Sequence, residues 1–247
     1  MKIGIIGLGN LGKSLLAGLM NTGTAPADIS VCELAELAPE ISGKHGVFAT
    51  SDINDVFLRS DVIFLTVKSY VFAEQAKNVA QPISADKTIV SFMAGAPFEV
   101  LHSQIGQCSL VRAMPTLAIA VNDGIIGYTK APERVEKLLH SLGYAFECVP
   151  EEIEKVTAFS ACGLGFAAYL IDAFKAAGEK LGFSQTDAQE IAKRTFQSAI
   201  DRGDYEATVK AVATKGGATE QGVLHMDACD TYNIIADAVK KAYERMI

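Results

Sequence analysis

The chain has 247 residues, with 22 basic and 29 acidic side chains, a net charge of −7 and 49% hydrophobic residues. That length holds one large domain or two smaller ones, each with a core of its own. The acidic balance, with no basic run anywhere, argues against nucleic acid and anionic membrane as partners.

The first element carries the strongest signal. An apolar run, Ile3 to Ile6, stops at Gly7-Leu8-Gly9-Asn10-Leu11-Gly12, and a helix-compatible stretch follows to Met20. The glycines are spaced G-x-G-x-x-G between a strand and a helix, the context that the dinucleotide fingerprint requires. Gly7 allows a tight turn, Gly9 lets a pyrophosphate approach the backbone, and Gly12 lets the helix sit close to the strand. The helix N-terminus adds unpaired N–H groups and a positive dipole end. A second strand, Ile29 to Glu33, ends on an acid about 20 residues further on, placed for the ribose 2′-OH of NADH. A 2′-phosphate would bring negative charge against Glu33, so NADH is expected over NADPH.

Strands and helices keep alternating through residue 150. Helical patterns cover Glu36 to His45, Ile53 to Arg59, Val71 to Ala80, Pro97 to Gln104 and Pro132 to Leu142. Strands are expected at Asp61 to Val67, Lys87 to Phe92, Ser109 to Met114, Ile125 to Thr129 and Tyr144 to Val149. Such alternation means βαβ units and a parallel sheet covered on both faces. Ligands then bind at the carboxyl ends of the strands, where Gly7, Glu33, Val67 and Met114 fall. Val67, Lys68, Met114 and Pro115 therefore join the expected cofactor contacts, although Lys68 also reads as a solvated strand-end lysine.

From Glu151 onward no strand is expected. Val156 to Leu181 is one helical pattern rich in small residues, with Gly182 as its C-cap. Ser184 to Arg202 follows, capped by Ser184 or Thr186. Asp204 to Ala213 is a third helix, and Ala218 to Lys240 continues helically with a break near Asp230. A helical domain of about 95 residues is small for an independent core and calls for a partner subunit. The two domains are thus residues 1–150 and 151–247.

Cysteines 32, 108, 148, 162 and 229 are odd in number and lack a C-x-x-C, so neither a disulfide framework nor a zinc site is expected. His225 and Cys229 lie one helical turn apart and read as ordinary helix residues. The longest apolar stretch, Ala161 to Ile171, is too short to span a bilayer, and no signal segment is visible; the chain reads as cytoplasmic.

Thr214-Lys215-Gly216-Gly217-Ala218-Thr219 places two glycines before a helical run, which makes a carboxylate-binding nest of backbone N–H groups. The plain alternative is an interhelical loop with Thr219 as an N-cap. At this point the chain resembles the pyrroline-5-carboxylate reductase family nearly end to end. The resemblance rests on the fingerprint Gly7 to Gly12, on Thr66-Val67-Lys68-Ser69, on Arg112-Ala113-Met114-Pro115, on the helix Val156 to Phe166 and on Gly216-Gly217-Ala218-Thr219. It implies an α/β Rossmann-type doubly wound, mostly parallel sheet, followed by an all-α dimerisation domain. It also implies hydride transfer from NADH or NADPH to the imine carbon of 1-pyrroline-5-carboxylate, giving proline in a homodimer or higher oligomer. Gly216, Gly217, Ala218 and Thr219 would hold the substrate carboxylate, with Thr219 and Ser160 at the reacting ring. Thr157, one turn before Ser160, would bond the substrate or face solvent.

Several positions depart from the family pattern. Thr116 and Ala118 stand where the family has asparagine and proline. Lys215 replaces the proline before the glycines, and Cys162-Gly163-Leu164-Gly165-Phe166 replaces S-G-P-A-Y. The resembling family tends to place a basic residue just after the second strand, where this chain has Leu34. Cys162 has no base beside it and is expected to be a small buried residue. Related hydroxyacid dehydrogenases carry lysine and asparagine where Tyr169 and Ala173 stand, so the proton donor a ketone needs is missing. A basic cyclic imine arrives protonated and needs mainly orientation. Three rival readings remain: another cyclic imine acid as substrate, a β-hydroxyacid-type dehydrogenase, and a nucleotide-sensing protein without catalysis. No metal is expected.

Overall fold

The computed structural model describes residues 1–80, 83–96, 98–106 and 108–247. Eight strands are joined in one sheet: β1 (Ile3–Ile6), β2 (Ile29–Cys32), β3 (Phe48–Thr50), β4 (Val62–Leu65), β5 (Thr88–Ser91), β6 (Ser109–Pro115), β7 (Gly124–Tyr128) and β8 (Gly143–Glu147). Their spatial order is β3-β2-β1-β4-β5-β6-β7-β8. Every pairing is parallel except β6 with β7. The order reverses between β1 and β4, which puts the glycine loop at the topological switch point.

Successive side chains of the central strands point to opposite faces. Ile3 and Ile5 of β1 and Val62 and Phe64 of β4 belong to one core, while Ile6, Ile63 and Leu65 belong to the other. Each face is covered by helices. The first core takes Leu15 and Leu19 of α1 (Asn10–Asn21) and Val135 and Leu139 of α6 (Glu133–His140). The second takes Ile53, Val56 and Phe57 of α3 (Ile53–Arg59) and Phe72 of α4 (Ser69–Ala76). α3 comes so close to β1 that a Cβ on Gly4 would stand 2.6 Å from Val56 Cγ1.

The remaining helices of this part are α2 (Ala38–His45), α5 (Phe98–Ile105) and α7 (Ile153–Val156). The expected start of α5 at Pro97 lies outside the described residues. The strand β3 has no counterpart in the sequence reading: three half-buried residues give no alternation to detect. α7 runs into a π-helical turn, Thr157–Ala161, and then into α8 (Cys162–Lys180).

Two compact units emerge: Met1–Ala161 with Tyr243–Ile247, and Cys162–Ala242. The second unit is helical throughout: α8, α9 (Gln185–Arg202), α10 (Tyr205–Val212), α11 (Ala218–Ala228) and most of α12 (Thr231–Glu244). Ser184 caps α9, accepting from the Asp187 amide at 3.1 Å, and Gly182 has φ 96°. The break expected near Asp230 falls on that residue, whose φ is 56°. α8 packs on α9 through Phe174 and Phe196, ring centroids 5.7 Å apart, and through Gly178 against Ala188. Among the apolar residues of this unit, Ala188 and Ala192 alone are buried.

Candidate active site

The glycine loop is built from inside and from outside. Gly7 has φ 94°, and a Cβ there would stand 2.3 Å from Val67 Cγ1. A Cβ on Gly12 would stand 2.2 Å from the Gly7 carbonyl oxygen. The protein itself therefore requires both glycines. Gly9 is different: it caps α1 in ordinary extended conformation, φ −67°, and a Cβ there would meet no described atom within 4 Å. Among the described residues nothing demands a glycine at this position. The open space at a helix N-terminus suits the close approach of a dinucleotide pyrophosphate.

Two side chains tie the loop down. The Thr66 hydroxyl lies 2.6 Å from the Gly7 carbonyl oxygen and 3.0 Å from that of Ile6. Glu33, half-buried at the end of β2, accepts from the Leu8 amide at 2.6 Å and from the Leu34 amide at 3.0 Å. Glu33 thus faces the fingerprint. Burial, with Glu33, Asp52 and Asp55 nearby, pushes the neighbouring Cys32 thiol up to about 11. Leu8 contributes its side chain to the core, and Asn10 and Leu11 form the first turn of α1. Val67 fills the space beneath Gly7, and Lys68 is exposed where α4 begins. Met114 and Pro115 are buried at the end of β6. Thr116 holds β6 to β7: its hydroxyl accepts from the Ile125 amide at 3.1 Å and its own amide donates to Ile125 O at 2.9 Å.

The π turn positions two hydroxyls. Thr157, buried, donates to Ile153 O at 2.6 Å, and Ser160, partly buried, donates to Val156 O at 2.7 Å. With its proton committed to the helix, Ser160 presents acceptor lone pairs outward. Below the turn, buried Arg112 of β6 pairs with Glu154 of α7 at 2.5 Å. Cys162 is partly buried rather than buried as expected, and desolvation raises its thiol.

In the helical unit, Gly216 has φ 74° and donates its amide to Glu220 Oε2 at 2.7 Å. The Gly217 amide donates to Thr214 O at 2.8 Å, and a Cβ on Gly217 would meet Thr214 Oγ1 at 2.8 Å. The amides of the two glycines are therefore engaged within the loop. The N–H groups left pointing out of the helix start are those of Ala218, Thr219 and Glu220, since Gln221 N already bonds Gly217 O. Thr219 is exposed on this first turn, Lys215 is exposed beside it, and Gly217 caps α11. His225 Nε2 and Cys229 Sγ, 3.8 Å apart, share a face further along.

Sequence reasoning missed Glu154 and Glu220, and it quoted Thr66 and Arg112 only within motifs. Glu154 sits in the charged run Glu151 to Lys155, and Glu220 reads as a first-turn acid. Only the fold shows what these acids touch.

The fold and the loop define a dinucleotide-binding oxidoreductase with a helical second part. Residues 2–95 match the family described as NADP oxidoreductase coenzyme F420-dependent, and residues 150–247 match the family described as pyrroline-5-carboxylate reductase dimerisation. A pyrroline-5-carboxylate reductase of Staphylococcus aureus is 24% identical over 263 aligned positions, covering 100% of this chain and 97% of the relative. The solved pyrroline carboxylate reductase of Plasmodium falciparum, with NADP bound, superimposes with a TM-score of 0.90 at 20% identity, over 100% of this chain and 97% of that one. That of Streptococcus pyogenes gives 0.90 at 22%, covering 100% and 98%. Residues 150–247 thus match the dimerisation domain of pyrroline-5-carboxylate reductases, and over its whole length the chain is similar to such reductases. By length and composition alone the helical run Pro150–Lys180 is apolar enough to cross a bilayer. It falls within the match to the dimerisation family.

Proposed function

We propose that this protein reduces 1-pyrroline-5-carboxylate to proline with a reduced nicotinamide cofactor, in the cytoplasm and as a homodimer or a multiple of it. The proposed division of labour is residues 1–150 for the dinucleotide and residues 151–247 for substrate and assembly. The observation that carries the reading is the glycine loop at the switch point, with Gly9 free of any contact that would explain it, in a chain that also matches the reductase dimerisation family.

The roles follow from the chemistry of each group. Gly7 to Gly12 hold the pyrophosphate, with Val67, Lys68, Met114 and Pro115 along the strand ends. The cofactor supplies hydride. The substrate carboxylate binds the outward N–H groups of Ala218 and Thr219 on the Gly216-Gly217 turn, with the Lys215 cation beside them. A protonated cyclic imine carries an N–H donor. Ser160, whose own proton is tied to Val156 O, is polarised to accept from it. Thr219 adds a hydroxyl contact. No proton donor is required, because the iminium already carries the charge that hydride neutralises. Tyr169, where a dehydrogenase would place lysine, is 75% exposed.

Glu33 supports NADH as the preferred cofactor. Its carboxylate lies against the fingerprint, where a ribose 2′-OH would donate to it and a 2′-phosphate would meet its charge. The test is turnover of a panel of cyclic imine acids with NADH and with NADPH, followed by nicotinamide absorbance. Fastest kcat/KM on 1-pyrroline-5-carboxylate supports the reading. Faster turnover of a larger ring reassigns the substrate, and no turnover of any imine, with dinucleotide still bound, refutes it.

A further inference from the structure

The ion pair beneath the π turn has a place in the geometry of hydride transfer. Arg112 is 3% exposed, and it marks the position where the sheet changes from parallel to antiparallel pairing: Arg112 pairs with Ser91 of β5, and the next residue, Ala113, with Tyr128 of β7. Its backbone is clamped, the amide donating to Thr129 Oγ1 at 3.0 Å and the carbonyl accepting from Thr129 N at 2.8 Å. Two residues on, β6 ends at the cofactor edge in Met114 and Pro115. A guanidinium on so fixed a strand is a rigid anchor, and Glu154 of α7 docks on it at 2.5 Å with side chains only 4% and 13% exposed. A second contact fixes the same helix. Val156 lies over Gly127, the register partner of Met114, so closely that a Cβ on Gly127 would stand 2.7 Å from Val156 Cγ1. The carbonyl of Val156 is the acceptor that orients the Ser160 hydroxyl.

We propose that Arg112 and Glu154 are positioning residues of the reductase: their ion pair, with Val156 seated on Gly127, sets the register of α7 on β6 and β7 and so aims Ser160 toward the nicotinamide edge. Three observations make this more than generic cohesion. The pair's hydrogen bonding is incomplete: among the described residues, Arg112 Nε is buried without a partner. An apolar pair of similar volume packs such a space at equal or greater stability. The chain of contacts from Arg112 to Ser160 is also unbroken: Arg112 to Glu154, then α7 to Val156 O, then Ser160 Oγ. A π turn following directly on α7 is the kind of helix irregularity that often accompanies functional sites.

The proposal relies on the imine-reductase reading for its kinetic arm only, and its test has a second arm that does not. The variants are Glu154→Gln, Glu154→Asp, and the double replacement Arg112→Met with Glu154→Leu. The double variant keeps the fold if the single one loses it. The expected result for the double variant is a melting temperature at or above wild type, dinucleotide affinity within about twofold, and kcat on the imine lowered by about tenfold to a hundredfold. Glu154→Asp, which keeps the charge on a shorter stem, should recover part of kcat. In the second arm, amide hydrogen exchange of residues 153–161 should quicken in the double variant, while that of β1 and α1 stays unchanged. Wild-type kcat in the stable double variant overturns the proposal. If the wild type reduces no imine, the functional reading fails, and unchanged exchange at residues 153–161 then refutes the positioning role by itself.

Discussion

Glu33 serves the architecture of the glycine loop, and the proposed function gives it selectivity as well. It accepts the Leu8 amide at 2.6 Å, so it is a strut of the fingerprint as well as the partner proposed for a ribose. Removing a charged acceptor from such a bond costs about 1.5–3 kcal/mol. Glu33→Ser with Leu34→Arg is therefore expected to weaken both cofactors while lowering the NADH-to-NADPH ratio of kcat/KM. Glu33→Gln keeps an acceptor for Leu8 and should lower the ratio with less loss of affinity. A wild type that already favours NADPH strongly would end the argument. At Gly217 the loop itself leaves little room for a side chain. Valine there would press on Thr214 Oγ1 and O, 2.8 and 2.9 Å from the Cβ, and shift the whole loop. Activity and substrate affinity should collapse with dinucleotide binding intact, and wild-type kinetics would show that the loop is not the substrate site. Cys32 follows from burial: with its pKa pushed up to about 11, its thiolate is absent at neutral pH. Thiol-specific reagents at pH 7–8 should leave Cys32 unmodified in the folded protein and label it after unfolding, as peptide mapping would read.

At the scale of elements, caps and close approaches decide where helices begin and how near they lie. The sequence left Ser184 and Thr186 as rival caps for α9, and the structure selects Ser184, whose hydroxyl accepts from Asp187 N. Ser184→Ala should destabilise by about 0.5–2 kcal/mol, read as a lower midpoint in denaturant titration with unchanged slope. A neutral replacement would mean the α9 start is held by packing alone. The strands illustrate a different limit. β4 and β5, buried on both faces, read clearly as apolar runs, whereas β3 pairs only with β2 at the sheet edge and three residues carry no period.

For the whole molecule, the helical unit has almost no interior: Ala188 and Ala192 are buried, while Leu164, Phe174, Ile191, Leu224 and Ile235 are each at least 40% exposed apart from their neighbours. So much uncovered apolar surface on one unit marks an interface, and the match of residues 150–247 to a dimerisation family gives its occupant as a second copy. Light scattering at micromolar protein is expected to give at least twice the 26.2 kDa chain mass. The melting temperature should rise with protein concentration, as mass action requires of a folding-coupled assembly. A fully active monomer would contradict this.

By itself the sequence determined the alternation of strands and helices, the glycine loop, the acid that closes β2 and the shift to an all-helical second half. Each of these is written in local periodicity or in residues whose backbone demands are local: Gly7 at φ 94°, Gly182 at φ 96°, Asp230 at the helix break. Tertiary structure alone decided which groups meet. Glu33 and Leu8 are 25 positions apart, and Arg112 and Glu154 are 42 apart. A hydrogen bond or ion pair over such a separation depends on strand order and register, which no local pattern encodes. The same holds for the Gly216-Gly217 loop, where Glu220 and Thr214 take up the glycine amides and leave outward donors only on the first turn of α11. A backbone donor serves whichever acceptor the folded geometry brings nearest, and that geometry exists only once the chain has packed.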